Sequence, residues 1–332
     1  MDQQNELIAT IHGQLEKADN ILVTSHHRPD GDAIGSLLGI GLALIEIGKK
    51  VNMALSDGIP DNFRFLAGSQ LITTKPSGNV EYIIVVDSAE VGRTDPILNG
   101  FQTADLNIDH HKTNTYFAKI NLVESEAVAT AEILAKYIPD FGLKITKPVA
   151  NALLAGIVTD TIGFRTTNIN PNALRITADL MELGGDLTDI YYRTIVGQTY
   201  TAARYWGAGL SKLQAENGLV WTTLSLNERR VAGYQYRDDA DLVKILSVIE
   251  GARIALILTE QAEGYVKISW RLCGSNPTDL DVSEIAKIFG GGGHKAAAGA
   301  DVKGKLDEVL IEVLNDTRIF MNQLGKPVDE IG

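Results

Sequence analysis

Ile21-Leu22-Val23-Thr24-Ser25-His26-His27-Arg28-Pro29-Asp30-Gly31-Asp32 changes character halfway: an apolar run with the length of a buried strand enters a turn dense in ionisable groups. Pro29 fixes that turn, and Gly31 gives it backbone angles that other residues disfavour. Gly31-Asp32 then opens a helical stretch that reaches about Ile47 and is ended by Gly48. Asp30 and Asp32 therefore fall beside a helix N-terminus, where one acid would serve as a cap. A cap accounts for neither the second acid nor His26, four residues before Asp30. Two carboxylates and an imidazole on one tight turn have the ligand types and spacing of a metal site.

The pattern of strand into acid recurs downstream. Short apolar strands are expected at residues 51–55, 82–86 and 106–108. Asp87 directly follows the second of these runs, and Asp109-His110-His111 follows the third. An Asp at a strand end is also an ordinary turn-former, so Asp87 alone leaves both readings open. Helical spacing covers residues 5–18, with Leu7, Ile8, Ile11 and Leu15 on one stripe, and stretches near 127–137, 147–159, 171–183 and 199–214. Asp160 ends one of these helices, where a carboxylate meets the unfavourable end of the dipole and a cation would offset the cost; a solvated loop acid is the alternative. Strands alternating with helices predict an α/β fold: a mostly parallel sheet with helices on both faces. Such sheets bind ligands beyond the carboxyl ends of their strands.

Further strands at 219–225, 253–259 and 265–271, with helices near 239–250, 281–289 and 304–322, predict a smaller C-terminal α/β domain. The expected layout is a domain over 1–195, a linker helix over 196–215, a second domain over 216–325 and a loose tail over 326–332, with a cleft between the domains. Two domains also suit 332 residues, more than a comfortable single core. The second domain carries the run GGGGHKAAAG from Gly290 to Gly299. Gly291, Gly292 and Gly293 can turn several backbone N–H groups toward one anion, and His294 and Lys295 add side-chain donors; a flexible hinge is the alternative. Arg271 is a candidate fork for phosphate or carboxylate, with a surface ion pair as its alternative.

His26, Asp30, Asp32, Asp87, His110 and Asp160 together offer four carboxylates and two imidazoles. Converging carboxylates without cations would repel and force protonation. Two divalent cations would cancel four negative charges and leave a centre suited to an anionic phosphate. Oxygen and nitrogen ligands without thiolate favour Mn²⁺, with Mg²⁺ as the alternative, over structural zinc. Two ions about 3.5–4 Å apart can activate water and stabilise both oxygens of an in-line displacement. Asp87 is the expected bridge, His111 is expected near the substrate phosphate, and Asp109 is expected to orient a neighbouring histidine. The net charge of −12 disfavours long nucleic acid as a partner. Cys273, the single cysteine, permits no internal disulfide and suits a reducing interior. Residues 1–20 lack the basic start and apolar core of a signal peptide, and the apolar stretch 34–48 falls short of the roughly 20 residues of a membrane span. A cytoplasmic protein without a membrane partner is expected, with homodimerisation left open.

These motifs together resemble those of the DHH phosphoesterase family. His26-x-x-Pro29-Asp30-Gly31-Asp32 looks like its first motif, Asp87 its second, Asp109-His110-His111 the motif that names it, and Gly156-Ile157-Val158-Thr159-Asp160-Thr161 its fourth. GGGGHKAAAG, with Ser269 and Arg271 upstream, is similar to the DHH-associated C-terminal domain; Cys273 stands where Ser would be expected. The resemblance covers nearly the whole chain. It implies one metal held by His26, Asp30 and Asp87, another held by Asp32, Asp87, His110 and Asp160, and a nucleotide bound through Arg271, His294 and the glycine loop. The layout is similar to the family's oligoribonucleases, which also dephosphorylate adenosine 3′,5′-bisphosphate. That implies short oligoribonucleotides and small nucleotides as substrates. A cyclic-dinucleotide phosphodiesterase is the alternative within the family. A related family of pyrophosphatases shares the motifs but would be expected to carry denser Lys and Arg in its C-terminal half. A non-catalytic nucleotide- or RNA-binding protein is the reading from another class, and a pure binder has no need of six metal ligands.

Overall fold

The computed structural model describes residues 3–94, 96–99, 101, 103–274 and 279–323, so the tail expected over 326–332 lies outside the described residues. The chain folds as two compact units, Met1–Gly197 and Gln198–Gly332. The first is built in order from α1 (Gln3–Lys17), β1 (Asn20–Thr24), α2 (Gly31–Glu46), β2 (Lys50–Ala54), β3 (Ile72–Thr73), β4 (Tyr82–Val86), β5 (Leu106–Asp109), β6 (Ile120–Val123), α3 (Thr130–Tyr137), α4 (Lys147–Asp160), α5 (Pro171–Glu182) and α6 (Leu187–Tyr191). Its sheet has the order β3-β2-β1-β4-β5-β6, and every pairing is parallel. The chain moves outward from β1 to β3, then returns to β4 on the other side of β1. The order reverses between β1 and β4, and the crevice at their carboxyl ends is where sheets of this kind take ligands.

Alternate strand residues feed two cores. Ile21, Val23, Ile84, Val86 and Ile108 join the apolar faces of α1 to α4. Leu22, Ile83 and Val85 point the other way, toward Ile97, Leu98 and Ala104. Among the described residues no α-helix contributes to this smaller core. Where the alternation of elements suggests a second helical layer, the connection after β4 forms a 3₁₀ turn (Val91–Arg93) that buries no residue, and irregular chain around Ile97, Leu98 and Ala104 covers the sheet. Gly92 and Pro96 sit in that connection and oppose a continuous helix. On the helical face, α2 and α4 approach closely. A Cβ on Gly35 would strike the carbonyl oxygen of Ala152 and come within 2.7 Å of the Gly156 nitrogen.

The second unit comprises α7 (Tyr200–Leu210), β7 (Gln214–Glu216), β8 (Leu219–Leu224), α8 (Leu226–Ala232), α9 (Leu242–Leu246), β9 (Ile254–Ala262), β10 (Tyr265–Leu272), α10 (Val282–Ile288), β11 (Gly292–His294), β12 (Ala297–Lys303) and α11 (Leu306–Gln323). Its sheet runs β11-β12-β10-β9-β8-β7, with β8 and β9 parallel and the other pairs antiparallel. Helical spacing over 199–214 resolves into α7, packed in this unit's core through Ala202 and Tyr205, followed by the short β7. Val266, Ile268 and Trp270 of β10 face a core shared with α10 and α11. Lys267, Ser269 and Arg271 alternate to the opposite face. Among the described residues no helix is long and apolar enough to cross a membrane.

Candidate metal centre

β1 ends at Thr24 and sets down His26 beside the end of β4. His26 is buried, and its Nδ1 lies 2.8 Å from the His27 carbonyl. Placing the proton on Nδ1 leaves the Nε2 lone pair directed at Asp30 Oδ1 (3.9 Å) and Asp87 Oδ2 (3.5 Å). Asp30 is the N-cap of α2, its Oδ1 accepting from the N–H groups of Asp32 and Ala33 at 3.1 Å each. Cap and ligand are therefore compatible roles for this side chain. Asp32, buried in the first turn of α2, accepts from the N–H groups of Thr130 (2.6 Å) and Ala131 (2.9 Å) and from the Ser36 hydroxyl (3.1 Å). It thereby satisfies first-turn donors of α3 that would otherwise be orphaned.

Asp87 has a φ of 53°, a region that costs a residue with a Cβ. Its N–H donates to the Ile108 carbonyl (2.9 Å), and the Thr130 hydroxyl donates to its Oδ1 (3.1 Å). The two carboxylate oxygens serve different neighbours. Oδ2 faces His26, while Oδ1 lies 3.7 Å from His110 Nε2. That same His110 nitrogen is 3.7 Å from Asp160 Oδ2 and 4.0 Å from Asp32 Oδ2. Two ligand groups result, His26-Asp30-Asp87 and Asp32-His110-Asp160, each with donor atoms within 4.8 Å of one another; Asp87, His110 and His111 form an overlapping third.

The charges in this cluster call for cations. Burial, then the nearby Asp87, Asp160 and Asp30 charges, push Asp32 well above the ordinary carboxylate range. Burial likewise pushes Asp160 up to about 6, with His110 opposing and Asp87 and Asp30 adding to the rise. Burial works against a charged His26, but bonds to Asp30 and Asp87 outweigh it and raise the imidazole to about 10. Left to protons alone, the cluster must hold extra ones; two divalent ions would neutralise the same carboxylates without them. The residues thus fit a metal pair by donor type, grouping and charge.

Asp109 lies beneath His111, with Oδ1 2.7 Å from His111 Nδ1 and Oδ2 accepting from Asn114 Nδ2 at 2.6 Å. The bond to Asp109 raises the His111 imidazole above its ordinary value despite burial, and Asp87 adds to the rise. Burial opposes the charge on Asp109, but the bond to His111 outweighs it and lowers its carboxyl. Sequence reasoning missed three neighbours: Thr130 on Asp87, Asn114 on Asp109, and Arg93, whose Nη2 is 3.4 Å from His26 Nδ1.

In the second unit, Arg271 is partly buried and donates from Nη1 to the Trp270 carbonyl (2.9 Å). Burial lowers the proton affinity of its guanidinium, while Asp239 and Asp241 oppose the shift. The glycine run forms an edge hairpin, β11 pairing with β12. The N–H groups of Gly290 and Gly291 are already bonded to the Lys287 and Ala286 carbonyls of α10 (3.0 and 2.9 Å), so only part of the run is open to an anion. Gly293 is required by the hairpin itself, since a Cβ there would strike the Ala297 carbonyl oxygen. Gly292 and His294 are exposed.

The model of the DHH family, N-terminal domain, matches residues 20–157, and that of the DHHA1 domain matches residues 231–318. The chain is 34% identical to a Thermus thermophilus protein named bifunctional oligoribonuclease and PAP phosphatase NrnA, over 92% of this chain and 91% of the relative. A solved structure of an exopolyphosphatase-related protein from Bacteroides fragilis has a TM-score of 0.85 at 25% identity, covering 97% of this chain and 98% of that one. RecJ of Thermus thermophilus, solved in complex with Mn²⁺, shares the fold at a TM-score of 0.56 and 13% identity, covering 98% of this chain and 56% of its own. The chain belongs to the DHH family of phosphoesterases.

Proposed function

We propose that this protein is a two-metal-ion phosphoesterase that hydrolyses short oligoribonucleotides to nucleoside 5′-monophosphates and adenosine 3′,5′-bisphosphate to AMP. The observation that carries this reading is Asp87, one carboxylate whose two oxygens face two separate groups of ligands. The name of the Thermus relative supports the choice of substrates. Both reactions break the same bond, P–O3′: the water oxygen joins phosphorus, and the departing 3′ oxygen takes up a proton.

His26, Asp30 and Asp87 would hold one divalent cation and Asp32, Asp87, His110 and Asp160 the other, with Mn²⁺ preferred over Mg²⁺. Bound there, the pair supplies an activated water and charge for the attacking and leaving oxygens. Thr130 and the Ile108 carbonyl fix Asp87 and so the spacing of the two groups. Asp109 engages Nδ1 of His111, which leaves Nε2 free to give a proton toward the substrate. The raised proton affinity of His111 suits that role near neutral pH. Arg271, His294 and the glycine loop at Gly292 and Gly293 are the proposed contacts for the rest of the nucleotide; the Gly291 N–H, already bonded to the Ala286 carbonyl, is not among them.

A chelation experiment tests the reading. EDTA should abolish hydrolysis of a diribonucleotide and of adenosine 3′,5′-bisphosphate, and Mn²⁺ should restore both. Asp87→Ala should lose at least about a hundredfold in kcat with the fold retained, in line with the loss expected when a group essential to transition-state charge is removed. Full activity in the chelated protein or in Asp87→Ala would overturn the two-metal reading.

A further inference from the structure

We propose that the Arg93 guanidinium binds a non-bridging phosphate oxygen of the substrate at the metal centre, an inference that rests on the phosphoesterase reading above. Arg93 closes the 3₁₀ turn that follows Asp87, and its backbone is fastened to the turn carrying His26. Its carbonyl accepts from the N–H of His27 (2.7 Å) and lies 2.8 Å from His27 Nδ1. Thr94, next in sequence, is buried with its hydroxyl on the Val91 carbonyl (2.7 Å). The base of the side chain is therefore held firmly against the centre.

The head of the side chain is not engaged in the same way. Arg93 is half-buried, and Nη2 stands 3.4 Å from His26 Nδ1. With its proton shared with the His27 carbonyl, that imidazole nitrogen has no lone pair to offer. Among the described residues no carboxylate forms an ion pair with Arg93. A rigid fork of five N–H donors, partly out of water and with no carboxylate partner among the described residues, is suited to receive an anion.

Charge balance points the same way. Two divalent ions would match Asp30, Asp32, Asp87 and Asp160 and leave the charge of the phosphate itself uncompensated. A fixed guanidinium supplies that compensation, most of all when charge gathers on the equatorial oxygens in the transition state. Lysine would bring the charge but not the fork.

Inorganic phosphate is the probe. Calorimetry on Mn²⁺-loaded protein gives its affinity for wild type, Arg93→Gln and Arg93→Lys, with bound Mn²⁺ counted in each. Arg93→Gln should keep its metal and bind phosphate about tenfold or more weakly, as expected for loss of a charge-assisted hydrogen bond. Arg93→Lys should recover part of the loss. Unchanged phosphate affinity in Arg93→Gln overturns the proposal, as does a wild type that binds no phosphate. Loss of Mn²⁺ from Arg93→Gln also overturns it, since Arg93 would then be a prop for His26. Wild-type hydrolysis is scored separately: phosphate binding that depends on Arg93, without cleavage of any nucleotide, supports this inference while the functional reading falls.

Discussion

Asp87 sits where a side chain is held at a cost of roughly 1–3 kcal/mol, and its bonds to Ile108 and Thr130 keep it there. His26 beside it works the other way, because its bonds to Asp30 and Asp87 let the ring keep a proton up to about 10. The sign of the consequence is fixed by linkage. A raised imidazole stabilises the fold fully below its unfolded value near 6.5, and that contribution is lost as pH climbs toward 10. Asp160, held up to about 6, acts in the same direction at lower pH, since the folded state keeps a proton that the unfolded state releases. Chelator-treated protein should therefore lose stability between pH 7 and 9, by at most about 1.4 kcal/mol per pH unit from His26. Metal uptake through His26, as proposed, would need the Nε2 lone pair and would expel that proton. Protein loaded with Mg²⁺ should not follow the decline, and calorimetry in two buffers of different ionisation enthalpy should detect about one proton released per protein near pH 7.5. A His26→Gln variant with the same pH slope would assign the effect to other groups.

Helices α2 and α4 set the distance between the proposed ligands at their ends, Asp30 and Asp32 on the first, Asp160 on the second. Their contact is made through Gly31, Gly35 and Gly156: a Cβ on Gly31 would strike the Thr159 side chain, and one on Gly156 would come within 2.9 Å of Asp32 Oδ1. Gly35→Ala should push the helices apart. Overpacking of this kind costs about 1–3 kcal/mol, and it should weaken Mn²⁺ binding although residue 35 touches no ligand. A denaturant melt combined with a metal titration checks both, and an unchanged metal affinity would detach the helix contact from the site. Much of this is legible in the sequence. β4 is a continuous apolar run that stops at Asp87, β1 and β5 are short, largely apolar runs that lead into His26 and Asp109, and the six ligand candidates stand out by type. β3 has only two residues, and β6 is an edge strand of four, so neither leaves a pattern. The glycine run reads as a loop because glycine and alanine favour no strand; long-range pairing of β12 with β10 makes it a hairpin. Thr130, Asn114 and Arg93 are silent for a related reason. A lone hydroxyl, amide or guanidinium has no local signature, and its role exists only once the strands bring it to the centre.

Across the whole chain, 42 acidic residues face 30 basic ones, and the consequence falls on substrate length. A protein that holds a long single strand follows its backbone with a track of cations and stacking rings. Here the attraction would come from two metal ions and a few fixed cations such as Arg93 and Arg271. Concentrated attraction rewards the phosphates nearest the reacting one and gives little to the tenth nucleotide. Each further phosphate instead adds a negative charge to an acidic surface, and the two repel within a Debye length of about 8–10 Å. We therefore expect kcat/KM to be greatest for about two to five nucleotides, with no gain from longer electrostatic tracking. Release of 5′-monophosphates should slow steeply as the oligoribonucleotide lengthens, and raising the salt should narrow the gap between short and long strands. Adenosine 3′,5′-bisphosphate should be cleaved by the same centre, because it presents the same P–O3′ bond with a second phosphate close by. A length series at two salt concentrations, followed by chromatography of the products, measures all of this. Processive digestion of strands tens of nucleotides long would show that cations are arranged as a track after all. Strong preference for an intact cyclic dinucleotide, which has no terminal phosphate, would show instead that the centre selects ring geometry over chain length.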